Sequence, residues 1–134
     1  MLKTYDNPGT APKPAGHYTN VIRVESGDTV TLHLAGQIAL DANGEVVAPG
    51  DMARQSEVVM DIIGELLRAH GAGYDDIVNI RTFLTDMDKL REYGAVRMRY
   101  FNGEPPTSTT VEVSRLFRDG ALLEVEVVAV IPAA

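Results

Sequence analysis

Residues 51–84, DMARQSEVVMDIIGELLRAHGAGYDDIVNIRTFL, decide the fold class, because one periodicity gives way to another inside them. Val59, Ile62, Ile63, Leu66 and Leu67 recur at i, i+3, i+4, i+7 and i+8, the apolar stripe of a helix packed on one side. Asp51, after Pro49-Gly50, is placed to cap its start, and Gly71 and Gly73 stop it. Ile77 to Leu84 then turns β-rich and reads as a strand. Downstream, Thr85-Asp86-Met87-Asp88 resembles a capping box for a second helix running to about Phe101, with Leu90, Tyr93, Val96 and Tyr100 along one side. Gly103 and Pro105-Pro106 end that helix. Thr107 to Leu116 reads as a strand. After an Asp119-Gly120 turn, Leu122 to Ile131 reads as the last strand, with Leu123-Glu124-Val125-Glu126-Val127 alternating. Upstream, Asn20 to Glu25 and Thr29 to Ala35 flank a Gly-containing turn and read as a hairpin, and Gly36 to Leu40 continues extended to an Asn43-Gly44 turn. Residues 1–16, with Pro8, Pro12 and Pro14, read as an extended arm.

The order ββ(β)–α–β–α–β–β, with no linker or internal repeat, predicts one α+β domain over residues 1–134: a mixed sheet with both helices on one face. The other face would carry Thr31, His33, Asn79, Arg81, Glu124 and Glu126, mixed with Phe83, Val128 and Val130. That mixture is too apolar for free exposure and too polar for an ordinary core, which favours association of the chain through this face; the alternative is a monomer with one solvated sheet face, which antiparallel sheets tolerate.

Composition narrows the functional classes. Twelve basic against 19 acidic residues give a formal charge of −7, the wrong sign for a protein that neutralises many phosphates, so nucleic acid is not an expected partner. With no Cys there is no disulfide, thiolate ligand or Cys nucleophile. His17, His33 and His70 stand apart without metal-ligand spacing, and there is no phosphate loop or G-x-S-x-G elbow, so no metal or cofactor is expected. No apolar run reaches membrane-spanning length and the N-terminus has no apolar signal region, so the cytosol is the simplest compartment. Chemistry is left to subtler groups. Glu124 and Glu126 share a strand face, either as solvated surface or as carboxylates in a partly desolvated cleft, where a raised pKa would let one of them exchange protons with water.

The stretches Gly16-His17-Tyr18, Ala35-Gly36-Gln37, Asn43-Gly44-Glu45, Gln55 to Gly73, Asp76-Ile77-Val78, Thr82-Phe83-Leu84-Thr85-Asp86, Tyr100-Phe101, Pro106 to Leu116 and Leu123 to Val127 follow one another as in the RidA (YjgF/YER057c/UK114) family, which this chain resembles over nearly its whole length. The resemblance implies a chorismate-mutase-like fold and a homotrimer with three small-molecule clefts between subunits. It also implies cofactor-free hydrolysis of reactive enamines or imines to keto acids and ammonia. Residue by residue, Tyr18 matches the family Tyr, Glu124 the water-handling Glu, and Gly36 the Gly of a Ser-Gly-Gln motif whose Ser is Ala35 here. Where deaminases of the family carry an Arg that grips the substrate carboxylate, this chain has Ser108, followed by Thr109 and Thr110, and a helix position that is commonly Asn is Gly94. These departures imply either a hydrolase of altered specificity, oriented by Tyr18, Ser108 and Thr110, or a binding protein without catalysis. Arg81 and Arg115 are the cations considered as substitutes. Ribonuclease activity, a label some relatives carry, fits the charge poorly.

Overall fold

The structure, a computed structural model, describes residues 1–134. Six strands form one mixed sheet in the order β1-β2-β3-β6-β4-β5. They are β1 (Leu2–Asp6), β2 (Val21–Ser26), β3 (Thr29–Leu34), β4 (Ile77–Leu84), β5 (Thr107–Glu112) and β6 (Leu123–Pro132). β3 and β4 both run antiparallel to β6, so α1 (Met52–Arg68) crosses from one to the other and leaves a slot that the last strand fills. β4 and β5 are parallel, and α2 (Leu90–Arg97) supplies the crossover that a parallel pair requires.

The core lies between the helices and one face of the sheet. α1 buries Val59, Met60, Ile63, Leu66 and Leu67 against Val30, Leu32, Ile80, Leu84, Leu123 and Val125. Asp51 caps α1 by accepting a hydrogen bond from the Arg54 backbone amide at 3.0 Å. Gly71, at φ +78, lets the chain turn so that the Ala72 amide can reach the Leu67 carbonyl at 3.0 Å. One polar side chain on the buried side of α1 ties it to distant loops. Gln55 donates to the Gly120 carbonyl at 2.8 Å and accepts from the Leu122 amide at 2.9 Å, which pins the entry to β6.

Gly64 makes room for Tyr74, whose hydroxyl donates to the Met60 carbonyl at 2.8 Å while its ring meets Tyr100 edge-on at 5.1 Å. A Cβ at position 64 would overlap the Tyr74 hydroxyl. Gly64→Ala is therefore expected to destabilise the protein by about 1–3 kcal/mol through overpacking, read as a lower midpoint in urea with an unchanged slope.

The structure differs from four of the expectations above. The N-terminal segment read as an arm begins as edge strand β1, whose Tyr5 and Lys3 pair with Ile22 and Val24. It is further tied to the body by the 2.9 Å hydrogen bond between the Asp6 carboxylate and the His70 ring, together with the Asn7 side chain accepting from the Asn20 amide. Gly36 to Leu40, read as extended, forms only single bridges, Gln37 with Val125 and Leu40 with Val46. β5 stops at Glu112 rather than Leu116, and the second helix is α2 flanked by 3-10 turns at Met87–Lys89 and Met98–Tyr100.

The face of the sheet away from the helices is as expected from alternation. Register sets Thr31 and His33 beside Val130 and Val128, Asn79 beside Val128, Arg81 beside Glu126, and Phe83 beside Glu124. Tyr5, Val111 and Val130 are exposed.

Candidate functional site

Glu124 owes its setting to backbone on both sides. On β6 it stands opposite Phe83 of β4. On its other flank the reciprocal backbone bonds Gln37 N to Val125 O, 2.9 Å, and Val125 N to Gln37 O, 3.0 Å, draw residues 36 and 37 against the strand. Gln37 is held in turn, its buried side chain donating to Asn20 at 3.1 Å and to the Ala35 carbonyl at 3.0 Å. Asn20, itself buried, donates to the Pro12 carbonyl at 3.1 Å. A chain of polar contacts thus runs from the N-terminal segment to the strand beside Glu124. Gly36 is where that backbone meets the carboxylate, since a Cβ there would come within 2.9 Å of Glu124 Cγ, Cδ and Oε2. No other side chain fits without moving Glu124.

The Glu124 carboxylate has no ion-pair partner in the chain. Partial burial, with a smaller contribution from the charge of Glu126, raises its pKa above the ordinary carboxylate value. Glu126 instead faces Arg81 at 3.8 Å. Two carboxylates two residues apart therefore occupy different environments, one paired with a guanidinium and one left free.

The other predicted residues occupy two further places. Tyr18 lines a cavity of about 790 Å³ between the N-terminal segment and Leu40-Asp41-Ala42, where its hydroxyl accepts from the Ala15 amide at 3.1 Å. Gly94 and Thr110 line a second cavity, of about 710 Å³, between α2 and the approach to β5. Ser108, which does not line it, is bonded to Arg97 of that lining and lies on the same side of β5 as Thr110, because their register partners Ile80 and Thr82 are both buried under the helices. Thr109 falls on the opposite face, beside Arg81. Within one chain, Glu124 with Gly36, Tyr18, and Ser108 with Thr110 and Gly94 thus form three separate clusters.

The sequence reading missed Arg97. Of Arg81 and Arg115, the cations expected as substitutes, Arg81 is turned to Glu126 and Asn79 on the open face. The guanidinium beside Ser108 is that of Arg97, whose Nη1 donates to Ser108 Oγ at 3.0 Å. It reaches there because Tyr93, one turn earlier, is buried and bonded through its hydroxyl to Thr82 of β4 at 2.7 Å, which seats α2 over β4 and β5. The one signal in the sequence is helical spacing, which puts Arg97 on the same side as Tyr93 and Gly94.

Residues 8–131 match the family described as endoribonuclease L-PSP, the RidA/YjgF family. This chain belongs to that family. A RutC family protein of Sulfurisphaera tokodaii is 38% identical over 118 residues, covering 88% of this chain and 90% of the relative. The mouse 2-iminobutanoate/2-iminopropanoate deaminase is 28% identical over 120 residues, 90% of this chain and 85% of that protein. Among solved structures, a protein of unknown function of the conserved Rid family from Yersinia pestis, YyfA, superposes with a TM-score of 0.86 at 31% identity, covering 97% of this chain and all of the other. The mixed six-stranded sheet with its two helices is the fold shared with these RidA relatives. No helix of the chain is long and apolar enough to cross a membrane, and no cluster of His, Asp and Glu is arranged to hold a metal ion.

Proposed function

We propose that this RidA-family protein is a homotrimeric hydrolase that converts small reactive enamines or imines to carbonyl compounds and ammonia at clefts between subunits. One observation carries the proposal: Glu124 is partly desolvated, lacks a charged partner, and sits over a glycine whose backbone is braced by Gln37 and Asn20. A carboxylate so placed holds its proton closer to neutrality and can take one from a water molecule. The water oxygen adds to the imine carbon as the proton taken by Glu124 passes to the imine nitrogen, giving a carbinolamine; its hydroxyl proton then passes by the same carboxylate to the amine nitrogen as the C–N bond breaks, leaving the carbonyl compound and ammonia. No redox partner enters the balance.

The open face of the sheet supports this reading. The open face of the sheet carries exposed Tyr5, Val111 and Val130 beside Phe83 and Val128, and packing these faces around an axis would bury them. It would also let a neighbour's groups complete a cleft whose residues, within one chain, form three separate clusters. A name carried by the mouse relative, 2-iminobutanoate/2-iminopropanoate deaminase, points to the same reaction class. The protein is expected to scatter light as three chains and to accelerate ammonia release when an amino-acid oxidase generates imines in its presence. A monomeric particle, or a rate equal to buffer across several amino acids, would count against it.

Ser108, in place of a substrate-gripping Arg, favours a second reading, that of a small-molecule binder without turnover. Thermal stabilisation by keto acids with no ammonia release would establish that reading instead.

A further inference from the structure

The cavity between α2 and β5 has a charge opposite to that of the chain. The protein carries a formal charge of −7. Yet the lining of this hollow of about 710 Å³ includes two guanidinium groups, those of Arg91 and Arg97, and no carboxylate. Neither Arg is in an ion pair with any Asp or Glu of the chain. Much of the remaining wall is apolar, including Leu90, Met98 and Phe101, and Met98 is 77% exposed with nothing covering it.

Arg97 is the constrained one of the pair. Its guanidinium carbon lies 5.9 Å from the centres of both the Tyr93 and Phe101 rings, so two aromatic side chains flank it. Nη1 donates to Ser108 Oγ at 3.0 Å and approaches the Tyr93 hydroxyl at 3.5 Å. A guanidinium has five N–H donors in a planar fork, and these contacts leave the rest of the fork free. Its charge has no counter-charge. A planar carboxylate matches such a fork two bonds at a time.

We propose that Arg97 is the anion clamp of this protein, binding the carboxylate of a small ligand whose hydrocarbon part lies on Leu90, Met98 and Phe101. Deepening the reading above, it puts the cation on helix α2, reaching from there to the place where an Arg on β5 would otherwise begin. Ser108 is then a positioning residue, its hydroxyl setting the rotation of the guanidinium.

Titration calorimetry with 2-oxohexanoate and its neutral counterpart 2-oxohexanamide tests the assignment without requiring turnover. The wild-type protein is expected to bind the carboxylate at least about tenfold more tightly than the amide, as a charge-assisted bidentate pair implies. Arg97→Met should bring that ratio to about one, and its melting temperature shows whether the variant is folded. Should Arg97→Met fail to melt like wild type, Arg97→Gln, which keeps a donor for Ser108, is held to the same ratio. The double variant Arg97→Ser/Ser108→Arg should restore the preference. An unchanged ratio in the Arg97 variant, or no preference in wild type, overturns the proposal. Ammonia release with an unchanged Arg97→Met ratio sinks the clamp and leaves the hydrolase. A ratio lost in that variant with no ammonia release anywhere does the reverse.

Discussion

Glu124→Gln is expected to lower imine hydrolysis by roughly 10²–10⁴-fold, the usual worth of a positioned general base, while leaving the sheet intact. The side chain keeps its shape and loses only the ability to accept a proton. In the wild type the rate should rise with pH through an inflection above the ordinary carboxylate range, because burial, and secondarily Glu126, raises the pKa of Glu124. That inflection should be absent from the variant. Stability carries the same signature. A carboxyl whose pKa is higher folded than unfolded binds its proton more tightly in the native state, so its contribution is present at low pH and lost as pH rises from the ordinary value through the raised one. The Gln variant should therefore gain relative to wild type across that window and hold a constant difference above it. Urea denaturation at a series of pH values reads the stability arm, and a coupled ammonia assay reads the other. A variant with wild-type turnover would remove Glu124 from the chemistry.

Gly36→Ala should be nearly as damaging to turnover although it touches no reacting atom. The added Cβ would stand 2.9 Å from three atoms of Glu124, so either the carboxylate swings away or the Gly36 backbone lifts from β6. Lifting the backbone strains the Gln37–Val125 bridge and the buried Gln37–Asn20 contact, so the side chain is expected to yield. Displacing a catalytic group by about 1 Å can cost on the order of 10²-fold in rate, and a loss of about that size in kcat is expected, with a small change in melting temperature. A bicarbonate- or formate-type chemical rescue that works in Glu124→Ala should fail in Gly36→Ala, where the displaced carboxylate still fills the space. Wild-type kcat in Gly36→Ala would show that the Glu124 rotamer is not constrained by this contact.

Much of this architecture is visible in local sequence, and the reason is burial on one side. α1 is legible because one stripe faces the core continuously from Val59 to Leu67 and Asp51 and Gly71 punctuate its ends. β3, β4 and β6 alternate because one of their faces is covered by the helices. The elements that escaped lack that asymmetry. β1 lies at the sheet edge with four of its five residues exposed, so no alternation marks it, and only pairing with β2 makes it a strand. Gly36 to Leu40 has strand-like composition, but its backbone bonds are spent on single bridges and on bracing Glu124.

The candidate site divides along the same line. Residue types and motif order are properties of the chain itself: Tyr18, Gly36, Glu124 and the hydroxyl run from Ser108 to Thr110 can be named before any coordinate is known. Which of them share a hollow depends on strand register, which puts Ser108 and Thr110 on one side of β5 and Thr109 on the other. The environment of Glu124 depends on a glycine 88 positions earlier in the chain. Arg97 is the sharpest case. Helical spacing puts it on the side of Tyr93 and Gly94 but does not name its partner, because a side chain's partner across a crossover is set by how the helix seats on the sheet. Here one buried bond, Tyr93 to Thr82, sets that seating and brings a guanidinium to Ser108.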